Sequence, residues 1–193
     1  MVKGGIHHIN TTDTDLGDAN VFIGAIGGYH WRGYDKHNYG LEGYYSTYKD
    51  GKDENSVAKK IDIIQFTPYY RFSKAININT RDNIGFKINH IVANDYNTKN
   101  YTSYEVENTL YYKKFFTTIK VYGGKMKTGI KDSGNTVYNS KDLLKDGYSI
   151  KLGYYVKRNL LLSVSYAVNN FKEYGKTVEA SNHVTVATLT YSF

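Results

Sequence analysis

Six ionisable side chains are spaced so that strands could bring them together: Arg71, Lys87, Glu105, Glu107, Lys120 and Lys151. Glu105 and Glu107 are two residues apart, so on an extended chain both carboxylates point to the same side. Antiparallel pairing through the polar segment 93–102 sets Lys87 roughly opposite Glu107, and pairing through Lys113-Lys114 sets Glu107 opposite Lys120. A carboxylate flanked by two ammonium groups has to be paired and hydrogen-bonded if it is buried. Such a set can plug a narrow interior, or it can form a charged constriction that selects solutes. The length of these side chains favours the plug. A register slip of one residue would move every member to the opposite face.

Other chemistry finds little support. His30, His37, His90 and His183 stand apart in sequence, and the adjacent His7 and His8 would point to opposite faces of a strand, a poor metal pair. There is no Gly-x-Ser-x-Gly, phosphate loop or His-Glu-x-x-His. Cysteine is absent, which removes thiol catalysis and thiolate metal sites. The expectation is a protein that is not an enzyme and holds no cofactor or metal. The net charge of +7 is spread along the chain and not gathered into a basic run, which argues against nucleic acid as a partner.

Strands must position these residues. The 193-residue chain is expected to be one domain, 1–193, and its 21 Tyr, frequent Thr, Val and Ile, and single Pro favour β structure. No apolar run approaches the length of a membrane helix, and a negative mean hydropathy does not exclude a barrel, whose interior residues dilute it. Period-2 alternation runs from Ala19 to Gly33 (Val21, Ile23, Ala25, Gly27, Tyr29, Trp31), from Tyr39 to Tyr48, and through Ile64, Phe66, Pro68, Tyr70 and Phe72. It continues in Ile84, Phe86 and Ile88; in Tyr104, Val106, Leu110 and Tyr112; in Phe115 to Val121; in Tyr148 to Val156; and in Leu160 to Val168. Met1 to Asn10 is the weakest segment.

Short turns are expected near 34–38, 73–75, 113–114 and 157–159, alternating with polar loops of about ten to nineteen residues, of which 128–146 is the longest. With the strong apolar parity outside, the interior receives Glu42, Gln65, Arg71, Asn77, Asn79, Arg81, Lys87, Asn89, Glu105, Glu107, Lys120 and Lys151. Pro68 predicts a bulge, and Asp82 falls on the apolar parity. Tyr69, Tyr70, Phe72, Tyr111, Tyr112, Phe115, Phe116, Tyr154, Tyr155, Tyr191 and Phe193 fall beside the short turns, where amphipathic rings form a girdle.

The last ten residues, VTVATLTYSF, alternate apolar and hydroxylic side chains and place Leu189, Tyr191 and Phe193 on one parity. This resembles the C-terminal strand of bacterial outer-membrane β-barrels. The resemblance is to an architecture, and it implies that Leu189, Tyr191 and Phe193 form an assembly signal read by the barrel-assembly machinery. The expected fold is all-β: a transmembrane, antiparallel, up-and-down β-barrel of about ten strands, with eight as the alternative. A Gram-negative outer membrane is the expected location, with lipid and lipopolysaccharide around a monomer whose leader has been removed. Two function classes stay open: a narrow porin-like channel for small polar solutes, and a closed barrel acting through its long loops in surface binding or membrane stabilisation. A soluble, lipocalin-like ligand-binding barrel is a weaker third.

Overall fold

A computed structural model describes residues 1–9, 18–52, 58–94, 100–127, 129–131, 136–137, 142–173 and 177–192. Ten strands form one antiparallel sheet in chain order: β1 (Val2–Ile9), β2 (Ala19–Arg32), β3 (Asp35–Lys52), β4 (Ala58–Asn77), β5 (Thr80–Ala93), β6 (Asn100–Tyr112), β7 (Phe115–Met126), β10 (Leu143–Lys157), β11 (Leu160–Lys172) and β12 (Glu179–Tyr191). The two-residue strands β8 (Ile130–Lys131) and β9 (Thr136–Val137) pair between β7 and β10. The all-β, up-and-down reading and the count of ten therefore hold, and the weak first segment is a strand paired along its length with β2. The hydrogen-bonded order ends at β1 and β12, and no ladder joins those two among the described residues.

Two-residue turns connect four of the hairpins. Lys113-Lys114 and Arg158-Asn159 lie where the sequence puts them, Lys113 taking the left-handed conformation at φ 53°. The first turn is tighter than 34–38: Gly33 adopts φ 63°, which glycine meets without strain, and pairing resumes at Asp35. The turn expected at 73–75 is displaced. Ser73 pairs with Lys36 on one side and Asn83 on the other, so β4 continues to Asn77. There the Asn77 Oδ1 accepts the Asn79 N–H at 2.9 Å, and this side-chain bond makes Ile78-Asn79 the turn. Asn77 and Asn79 are consequently exposed at the rim and do not enter the interior.

Pro68 produces no bulge. Its neighbours Phe66 and Tyr69 pair with His90 and Lys87 in one unbroken register, and Leu41 faces Pro68 on the other side. A missing N–H removes one bond and need not insert a residue. Asp82 does lie on the outward parity, where it accepts a 2.7 Å bond from Asn108 Nδ2.

Outward faces carry exposed Phe22, Ile26, Phe66, Phe86, Ile88, Val121, Leu152, Leu162 and Val164. On β2 the rule that the stronger apolar parity faces out fails. Ala19, Val21, Ile23 and Ala25 are opposite Tyr48, Ser46, Tyr44 and Glu42, and this register turns them inward. The aromatic band also divides. Tyr70, Phe72, Tyr112, Phe115, Tyr154 and Tyr191 take the outward parity, while Tyr69, Tyr111, Phe116 and Tyr155 take the inward one, as neighbours on a strand must. Phe193 lies outside the described residues.

Several aromatic rings lie over glycines of the next strand, which have no side chain to obstruct them. A Cβ built at Gly153 would overlap the Phe116 ring, whereas one at Gly24 meets nothing within 4 Å. Gly153→Val is therefore expected to lower the urea midpoint, overpacking costing about 1–3 kcal/mol, while Gly24→Val stays near wild type. The fluorescence of Trp31, the sole tryptophan, can follow both. Equal losses would discount the ring-over-glycine contact.

Candidate functional site in the sheet interior

The inward faces are layered along the strand direction. Nearest the long connections, Ala19, Tyr48, Ile61, Ile63, Ile91, Ala93, Tyr101, Met126 and Leu144 make one buried apolar cluster that reaches from β2 to β10. Strands this far apart in the sheet share a core only if the sheet curls around it. Beyond the cluster come hydroxyl and amide groups, and then the charges.

A stopper lies at the inner edge of this cluster, on the rung of Gln65 and Tyr44. The chain after β7 turns inward, and Ile130 is 2% exposed against Val21 and Tyr44. Gln65 holds it there: its Nε2 donates to the Ile130 carbonyl at 2.8 Å, and its Oε1 accepts the Ile130 N–H at 2.7 Å. One amide side chain thus pairs both backbone groups of a buried residue, as a neighbouring strand would.

From Gln65 a hydrogen-bonded chain runs toward the charges. Gln65 Nε2 donates to Thr67 Oγ1 at 3.0 Å, Thr67 Oγ1 donates to Asn89 Oδ1 at 2.9 Å, and Asn89 Nδ2 donates to Ser103 Oγ at 3.2 Å and Glu105 Oε1 at 3.3 Å. Glu105 Oε2 is 4.0 Å from Lys120 Nζ. Stopper and ionic layer are therefore one connected network.

The ionic layer contains the residues the sequence nominates, Lys151 excepted, with different partners. Lys87 faces Glu105 across the ladder, not Glu107, because β6 already begins at Asn100 and pairs up to Val92. The shift is two residues, so every side chain keeps its face. Glu107 does face Lys120. Its ion pair, however, is with Arg71 at 3.4 Å, which reaches across β5 at Gly85, where no side chain intervenes. Glu42 is 3.8 Å from Lys87 Nζ and accepts the Tyr44 hydroxyl at 2.5 Å. Arg81 donates to Ser73 Oγ at 3.1 Å, nearer the short turns. Lys151 faces inward but stands apart, its ammonium 6.0 Å from the centre of the Phe116 ring.

A cavity of about 540 Å³ opens beside these pairs, and Lys3, Tyr29, Lys36 and Tyr69 line it together with the ionic residues. Lys36 and Tyr69 share the parity of Glu42 on β3 and of Arg71 on β4, but Lys36 fell in the expected turn and Tyr69 in the aromatic band; Lys3 and Tyr29 lie on strands whose facing was still unknown. Ile130 carries no sequence signal at all, since it sits in a polar connection.

On the outward face His30 and His37 are direct ladder partners, and their rings stack with centroids 4.6 Å apart. They are isolated in sequence and joined by pairing. His37 Nδ1 lies 2.7 Å from the Tyr70 hydroxyl. Among the described residues no three His, Asp or Glu side chains gather where they could hold a metal ion.

No family model, no curated protein and no solved structure matches the chain.

Proposed function

We propose that the chain is a monomeric β-barrel of a bacterial outer membrane, closed by β1 against β12, with an interior stopped on the long-connection side. In this reading it acts through its long surface loops, in binding or in stabilising the membrane, and not as an open pore. Its surroundings are lipid and lipopolysaccharide, and the strand carrying Leu189 and Tyr191 engages the assembly machinery. An apolar belt on the outward faces of most strands supports the membrane setting, since a surface of that extent is unfavourable in water. The observation that carries the closed reading is Ile130, buried and held at both backbone groups by Gln65.

A second reading, a narrow channel for small polar solutes that opens when this segment leaves, is favoured by the charge-lined cavity in the same interior. Planar-bilayer recording of refolded protein separates the two, with folding checked by a heat-dependent shift in gel mobility. Folded wild-type protein is expected to give no steady conductance. Discrete, reproducible steps would discard the closed reading in favour of the channel.

A further inference from the structure

We infer that the interior cavity is a binding site for a small, doubly charged oxyanion of the phosphate or phosphate-ester type. Five cationic side chains line it: Lys3, Lys36, Arg71, Lys87 and Lys120. Three carboxylates line it as well, and each has a cation within 4.0 Å: Glu42 with Lys87, Glu105 with Lys120, and Glu107 with Arg71. Among the side chains, five positive charges against three negative leave an excess of two; the Met1 α-ammonium, which also lines the cavity, donates to the Gly27 carbonyl at 2.8 Å and adds to that excess.

The side-chain excess falls on Lys3 and Lys36, which have no carboxylate of a described residue at ion-pair distance. Lys36 is not loose. Its ammonium sits 4.5 Å above the Tyr29 ring and 5.5 Å from that of Trp31, and these contacts fix a cation on the wall without consuming its charge in a salt bridge. Such a wall lowers the ordering cost of binding an anion. The volume, about 540 Å³, lies within the range of small-ligand sites and exceeds what a bare phosphate needs, so a phosphorylated small molecule fits. Lysine and arginine donors, with the Tyr29 and Tyr69 rings alongside, suit oxygen-rich anions and not metal cations.

The inference goes beyond the closed-barrel reading and does not depend on it. The test uses the full chain refolded in zwitterionic detergent, with inorganic phosphate and then glycerol phosphate as probes in calorimetric titration. Saturable binding is expected, weakening as salt is raised. Lys36→Gln is expected to weaken it about tenfold, the loss of one charge-assisted bond, while Lys36→Arg stays close to wild type. Lys113→Gln, in a turn outside the cavity, is expected to leave binding unchanged. The inference is overturned if folded wild-type protein binds neither probe, if Lys113→Gln weakens binding as much as Lys36→Gln, or if calcium binds in preference to phosphate. Conductance from wild-type protein would remove the closed reading and leave this one standing. Failure to bind either probe would do the reverse.

Discussion

Gln65→Leu is expected to release residues 129–131 from the interior. Leucine nearly matches glutamine in volume, so the layer stays filled, but it cannot bond to Ile130. The Ile130 N–H and carbonyl would then be buried without the partners they have at 2.7 and 2.8 Å. A buried polar group left unmade costs about 1–3 kcal/mol, against about 1 kcal/mol for an ordinary net hydrogen bond. Two such groups outweigh much of what burying one isoleucine side chain contributes, about 1.5–3 kcal/mol. The segment is therefore expected to leave for water, not to stay unpaired. Two readouts follow. Bilayer recording of the variant should show conductance steps where wild type is silent. Trypsin should cut after Lys127, which is 5% exposed in the folded protein. A folded variant that remains silent and resists cleavage at Lys127 would mean that Gln65 does not hold the stopper.

Glu105→Ala is expected to cost more stability than Glu107→Ala, although the two carboxylates are neighbours on one face of one strand. Glu105 and its partner Lys120 have side chains 8% and 22% exposed, and Glu105 also accepts from Asn89. Breaking a buried ion pair from one side costs about 3–5 kcal/mol, because the remaining charge stays desolvated. Partial exposure of Lys120 places the expected loss at the low end of that range. The Arg71 and Glu107 side chains are 48% and 31% exposed, and a pair so wetted is worth about 0–1 kcal/mol. Urea midpoints of the two variants, measured in one detergent, give the comparison. An equal or larger loss for Glu107→Ala would show that burial does not rank these pairs.

The sequence by itself determines the all-β, up-and-down fold class and most of the inward charges, and it favours ten strands over eight. Those properties follow from period-2 alternation, which records the face of a residue locally, strand by strand. Lys87, Glu105, Glu107 and Lys120 could thus be assigned to one face even with Lys87 set against the wrong glutamate, since an error of two residues leaves the face unchanged. Alternation also places Leu189 and Tyr191 together, and both are exposed on the outward parity of β12.

Only the tertiary structure decided what those faces meet. On β2 the more apolar parity is the inward one, the reverse of the other strands, so composition pointed to the wrong face; Glu42 on β3 settles it through Ala25, its ladder partner. The turn at 73–75 was misplaced because Asn77 bends the chain with its own side chain, a bond that competes with simple polarity. Partner choice within the ionic layer depends on diagonal reach across neighbouring strands, as Arg71 shows by reaching past Gly85 to Glu107. The stopper lay furthest from view. Ile130 is 65 residues from Gln65, and nothing near it in the chain marks it as buried. A contact of that separation exists only once the sheet has curled, when an unpaired backbone inside the curl must find a donor and an acceptor, and Gln65 supplies both.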